Sequence, residues 1–299
     1  MQKALIRANP KLSRFDPLGR IIYFDDFDEG LQGWTSLIGN YEDNLDRMHP
    51  GYRQLTTPML SNLSFWDNGT HGSVDGSYAL KMATRPKKGA QNVAIKRLTY
   101  VRACPIQIEF WFTFKPEAST QKLLDTDLRS VGILLDLQND DYRIMPHLRY
   151  LNAFDGQRIE KWQFKEKTVP FERFSEKTVT HYHLAERDWQ DLSGERQVLC
   201  YNEIPTKVNW QYAKLGFDLR TMRYTHFECN DVAYDMSGIG ALQIDAMPNL
   251  RGMLNVGFFV ESDADRRSSF YVDSILVSGE WDWCRPCARA RRPWSSAAS

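Results

Sequence analysis

The chain has little cysteine for its size and no charge imbalance, and each shortage excludes something. Cys104, Cys200, Cys229, Cys284 and Cys287 are an odd number of thiols scattered through 299 residues. A chain this long buries enough core to need no covalent staples, so free thiols are expected rather than a disulfide framework. Lys+Arg and Asp+Glu both number 38. That balance provides no field to attract nucleic acid or an anionic membrane, and neither is expected as a partner. Continuous apolar runs of membrane-spanning or signal-peptide length are missing. The expected compartment is the cytoplasm, unless a leader was lost. There, the glycosylation triplets at Asn62 and Asn68 have no meaning.

Chemical signatures are equally scarce. There is no Gly-rich phosphate loop, no HExxH pair and no G-x-S-x-G elbow, so no organic cofactor is expected. Cys284-Arg-Pro-Cys287 is a lone CxxC without a second ligand pair. His181 and His183 would share one face of a strand as two metal ligands do, but no third ligand can be named.

What the chain does have is alternation with period two, and no segment of comparable length carries a helical stripe. Ile106, Ile108, Phe110, Phe112 and Phe114 fall on one side of a strand, with Gln107, Glu109, Trp111 and Thr113 on the other. Residues 131–138 and 254–260 behave similarly. In residues 143–150, Ile144, Leu148 and Tyr150 oppose His147 and Arg149, and Pro146 marks an edge or a bulge. Turn pairs such as Asp75-Gly76 and Asn68-Gly69, and the turn at Asp218, separate such strands. The pattern predicts an all-β, two-sheet antiparallel sandwich. Residues 1–19 read as an irregular lead-in, 20–281 as one domain and 282–299 as a disordered basic tail. Residues 156–197, rich in Lys and Glu, read as an excursion over the sandwich.

Three passages carry a resemblance. They are the opening Phe24-Asp-Asp-Phe-Asp-Glu-Gly-Leu-Gln-Gly-Trp34, then Thr70-His-Gly-Ser-Val-Asp-Gly-Ser-Tyr-Ala-Leu-Lys-Met82, and the closing Phe270-Tyr-Val-Asp-Ser-Ile-Leu-Val277. Together they resemble the jelly-roll carbohydrate-binding modules and the wider concanavalin A-like lectin and glucanase superfamily. That resemblance implies a jelly roll with a carbohydrate ligand on its concave face. It also implies a structural calcium joining the first and last strands, held by Asp26 or Asp28, the carbonyls around Gly76 and Ser77, and Asp273. Such a shell of mixed carboxylate and carbonyl oxygens suits Ca²⁺.

Sugar-binding faces combine an aromatic plate with planar carboxylate, amide and guanidinium groups. The residues of those types on polar faces are Glu109 and Trp111, Asp136 and Gln138, His147 and Arg149, then Lys207 and Asn209. They are the expected ligand groove. Glycoside hydrolysis would draw its two carboxylates from Glu109, Asp136 and Glu203. However, the Glu-x-Asp-x-x-Glu string of the superfamily's hydrolases and the motifs of its uronate lyases are both missing. Three readings therefore stand together: a sugar-binding module, a glycoside hydrolase or polysaccharide lyase using the same face, and a non-catalytic interaction module. From Thr206 onward, alternation sets Val208, Trp210 and Tyr212 opposite Lys207, Asn209 and Gln211, which predicts Trp210 in the core.

Overall fold

A computed structural model of the chain describes residues 6–36, 57–63, 72–100, 102–116, 124–138, 143–166, 188–199, 208–244, 246–247, 250 and 252–281. Glu203, Lys207, His181, His183, Asn68, Cys200, Cys284, Cys287 and the tail 282–299 lie outside the described residues. Cys104 and Cys229 are buried free thiols. Among the described residues no helix is long and apolar enough to cross a membrane.

The strands form two antiparallel sheets. The first contains β1 (Arg20–Asp25), β3 (Met59–Ser61), β4 (Ala79–Ala83), β6 (Pro105–Pro116), β12 (Gln211–Asp218), β13 (Arg223–Cys229), β14 (Val232–Asp235) and β17 (Ser268–Gly279). Its order is β14-β13-β12-β6-β17-β4-β3, with β1 also on β17. The second contains β2 (Trp34–Ser36), β5 (Gln91–Leu98), β7 (Leu128–Gln138), β8 (Arg143–Met145), β9 (His147–Phe154), β10 (Gln157–Lys165), β11 (Trp189–Asp191), β15 (Leu242–Ile244) and β16 (Met253–Ser262). Its order is β11-β10-β9-β7-β16-β5-β2, and β8 joins β7 to β15. The chain crosses between sheets at β1 to β2, β2 to β3, β4 to β5, β5 to β6, β6 to β7, β11 to β12, β14 to β15 and β16 to β17. This is a two-sheet antiparallel β-sandwich. Pro146 interrupts what would be one strand, leaving β8 and β9 in series.

The inner faces follow the alternation. Ile106, Ile108, Phe110, Phe112 and Phe114 of β6 meet Val131, Ile133 and Leu135 of β7, Leu148 and Tyr150 of β9, and Val256 and Phe258 of β16 in one core. Aromatic edges close the gap between the sheets: Phe110 lies 4.8 Å from Phe258, and Trp162 lies 4.5 Å from Phe227, both T-shaped. The buried indole N–H of Trp162 donates to Gln197 Oε1 at 2.7 Å, the same oxygen accepts from Tyr234, and Gln197 Nε2 donates to the Cys229 carbonyl. One amide thus satisfies the polar groups that the aromatic core would otherwise strand.

The outer faces differ from a wet sandwich. Gln107, Glu109 and Thr113 are buried on the outside of β6, and Val93, Ile95, Leu134 and Phe259 are buried on the outside of the second sheet. The phase of β12 is also the reverse of the expectation. Ala213, Leu215 and Phe217 face the core, so Tyr212 faces out. Trp210 packs with Val208 against a small outer cluster of Leu63, Ala79 and Tyr271, donating its indole N–H to the Gly72 carbonyl. Aromatic residues on both sides of this strand made the phase ambiguous in the sequence alone.

Phe112 touches the rings of Phe110, Phe114, Trp162 and Phe270. Phe112→Ala is expected to cost about 3–5 kcal/mol in urea denaturation, the range for emptying an aromatic position in a core.

Candidate functional site

The expected groove residues divide between the two sheets. Glu109 and Trp111 lie on the outer face of β6, and Asn209 lies just before β12 in the same sheet. Asp136, Gln138, His147 and Arg149 lie on the outer faces of β7 and β9 in the other. They do not form one concavity, because period-two alternation tells inward from outward but not which sheet a strand joins. Glu109 and Asp136 therefore point away from each other on opposite sides of the sandwich and cannot serve as an acid–base pair.

Local chemistry accounts for most of them. Asp136 is held by Arg143, whose Nε and Nη2 donate to its two oxygens at 2.8 Å each. Gln138 donates to the carbonyls of Met247 and Leu250 and accepts from the Met247 N–H, pinning the approach to β16. Glu109 anchors the N-terminal strap, residues 9–19: it accepts from the Asp16 N–H, from the Tyr212 hydroxyl and from Gln107 Nε2. Burial pushes its carboxyl upward, opposed by those three donors. Trp111 sits 5.2 Å from the Tyr212 ring and opposite Asp273 in register.

The richer constellation is on the second sheet. Trp189 of β11, paired with Lys165 of β10, brings its ring to 4.2 Å from the Arg149 guanidinium and 4.8 Å from Lys165 Nζ. His147 meets the same ring edge-on at 6.2 Å, and its Nδ1 lies 2.6 Å from the Met145 carbonyl. A polar ladder crosses the strands beneath. Arg129 donates to Glu261 and Asp263, Glu261 lies 3.7 Å from Arg149, and Arg149 Nε donates to Gln163 Oε1. Gln163 Nε2 then donates to Asp191, which also accepts from Lys161. These two bonds hold the Asp191 carboxyl below its ordinary range. Gly132 lies under the ladder, where a Cβ would come within 2.4 Å of the Leu148 carbonyl and 2.5 Å of the Phe259 ring. Sequence reasoning found His147 and Arg149 and missed Trp189, Gln163, Lys165 and Asp191. The signal was the alternation Lys161-Trp-Gln-Phe-Lys165, with Trp162 and Phe164 inward.

The five positions assigned to calcium do come together, at the place where β17 exchanges one neighbour for another. Asp28 Oδ1 accepts from the N–H groups of Ser77 and Tyr78 at 2.6 and 3.2 Å, and Asp273 Oδ2 accepts from those of Val74 and Asp75 at 2.7 and 3.2 Å. Gly76 has φ of +58°, and a Cβ there would collide with the Asp28 carboxylate. Its carbonyl accepts from Ser73 Oγ, and Asp26 is paired with Lys11. Burial pushes the Asp273 carboxyl up to about 7. The oxygens face backbone donors and strap cations rather than one point. Among the described residues no three His, Cys, Asp or Glu side chains converge as a metal site.

One family model matches residues 2–281. The chain belongs to that family, described as a domain of unknown function (DUF6772). None of the curated proteins matches it. Solved structures similar to this family member include the CBM2 module of the evolved Dit of Lactobacillus casei BL23 phage J-1. That likeness has 11% identity and a TM-score of 0.43, covering 90% of this chain and 100% of the other. "Cellulose induced protein, Cip1" is similar at 12% identity and TM-score 0.40, covering 88% of this chain and 100% of that one. Alginate lyase Aly36B is similar at 8% identity and TM-score 0.38, covering 68% of this chain and 82% of its own. At identities this low neither ligand nor chemistry transfers.

Burial pushes the Lys165 ammonium down to about 7, and the neighbouring Arg149 charge acts in the same direction. Between about 7 and the ordinary value of 10.5 the unfolded chain holds this proton and the folded chain does not. This group's contribution to stability is therefore complete above 10.5 and is lost as pH falls towards 7. Lys165→Met should flatten that part of the stability–pH curve, read by urea denaturation from pH 7 to 10. An unchanged slope would count against a buried neutral amine.

Proposed function

We propose that the chain binds an oligo- or polysaccharide on the outer face of its second sheet, centred on Trp189. What supports the reading is one observation: a half-buried indole lies against the guanidinium of Arg149, beside the linked side chains of Gln163 and Asp191. A pyranose ring offers an apolar C–H face and a rim of adjacent hydroxyls. An aromatic plate suits the first, and planar amide and carboxylate groups suit the second. Those groups project from β9, β10 and β11, so the sheet itself fixes their spacing and binding needs no large reordering. Because the ladder joins each group to the next, a ligand hydroxyl that replaces one link meets a donor or acceptor already oriented.

The test is a glycan array followed by calorimetry on the strongest hit, with melting curves to confirm folding. Trp189→Ala should weaken binding roughly ten-fold, the scale of one lost aromatic contact. Trp111→Ala, on the opposite sheet, should leave affinity unchanged. If Trp111→Ala abolishes binding while Trp189→Ala does not, or if no glycan binds, the assignment of this face is wrong.

A further inference from the structure

The acidic junction carries an inference independent of the sugar site. Asp26, Asp28, Asp75 and Asp273 meet where β1, the Ser73–Tyr78 turn and β17 come together. Backbone N–H groups satisfy several of these oxygens but bring no net charge to offset the negative charge of the carboxyl cluster. The N-terminal strap brings two. Lys11 Nζ pairs with Asp26, while Arg14 Nη1 donates to the Val74 carbonyl at 3.3 Å and Nη2 lies 3.5 Å from the otherwise unbonded Asp75 Oδ2. One guanidinium thus contacts both a carbonyl and a carboxylate of the turn, the mixture of oxygens a hard cation would take.

The strap is fastened so that these cations stay in place. Beyond Arg14 the Asp16 N–H is held by Glu109 and the Asp16 carbonyl by Gln107 Nε2. The N–H groups of Leu18 and Gly19 are held by Ser278 Oγ and Glu280. Phe15 is buried with its ring edge-on to Phe24, 6.2 Å away. From Asp16 to Gly19 the segment is therefore bound to β6 and to the end of β17, and Arg14 hangs from that anchorage into the turn.

We propose that the strap acts as a covalently attached counter-ion: Lys11 and Arg14 supply the junction with the two positive charges that the family resemblance assigns to calcium. The tie between β1, the turn and β17 is then made by the chain itself. A divalent cation would have to displace Arg14 to reach the same oxygens.

Melting curves of the full chain, recorded in chelator and in millimolar calcium, test this together with equilibrium dialysis against calcium. The wild-type midpoint should be the same in both solutions and no calcium should be retained. Lys11→Ala/Arg14→Ala should melt about 2–4 °C lower in chelator, the shift expected for losing roughly one modest ion-pair contribution in a domain of this size. Arg14→Gln keeps the hydrogen-bonding shape without the charge. It should show a smaller drop in the same direction, and it decides the matter if the double variant does not fold. A wild-type chain that loses stability in chelator or retains calcium would overturn the proposal, as would charge-removal variants that melt with the wild type.

Discussion

The sandwich depends on β17 changing partners. In its first half β17 pairs with β4, up to Val272 opposite Leu80, and in its second half with β1, from Ile275 opposite Asp25. Between them the register slips, Ser274 adopts φ of 48°, and the side chain of Asp273 turns to the backbone of the turn that precedes β4. Two strands distant in sequence can share one edge of β17 only if their ends are held apart and in line there. The buried Asp273 carboxylate, with Asp28 reaching from the other side, performs that holding. The preceding residues prepare for it: Asp25 accepts from the N–H of Phe27, at φ of 62°, and from the Trp34 indole, bending the chain out of β1 while Trp34 enters the core.

Because the middle strands β7, β16 and β17 are buried on their outer as well as their inner faces, polarity on a strand does not mark the solvent side here. The outward carboxylates and amides are structural ties on the first sheet, where Glu109 and Gln107 fasten the strap. On the second sheet they form a ladder from Asp263 to Lys161 that stiffens five strands and positions a tryptophan at its edge. The first arrangement spends its hydrogen bonds partly on the backbone of the strap and partly on Tyr212 and between Gln107 and Glu109 themselves. The second consists of side chains bonded to side chains.

The fold was legible because core alternation is strong: β6, β7, β9 and β16 each carry apolar residues at every second position, and those residues are the core. The junction was legible only through the three passages that carry the family resemblance, which named Asp28, Gly76, Ser77 and Asp273; the bonds that join these segments span 49 and 199 residues. Sheet membership was not legible, since β6 and β7 follow each other in sequence with equal alternation and join opposite sheets. That is why Glu109 and Asp136 looked like neighbours. Trp189 and Gln197 escaped notice for a different reason. Both act over long sequence separations from a polar stretch with little periodicity, so nothing near them announces the contact with Arg149 or the core amide they provide.

The pairing of β1 with β17 has a mechanical consequence. Arg20 lies opposite Gly279, so the entrance and the exit of the sandwich stand side by side at one end of an antiparallel pair. A force pulling those two points apart would load the hydrogen bonds one after another, as in opening a zip, rather than all at once in shear. Such a domain yields readily at its first bonds. Resistance would then rise at the Asp25–Ile275 end, where the pair runs into the junction, making that junction the mechanical stop of the whole sandwich.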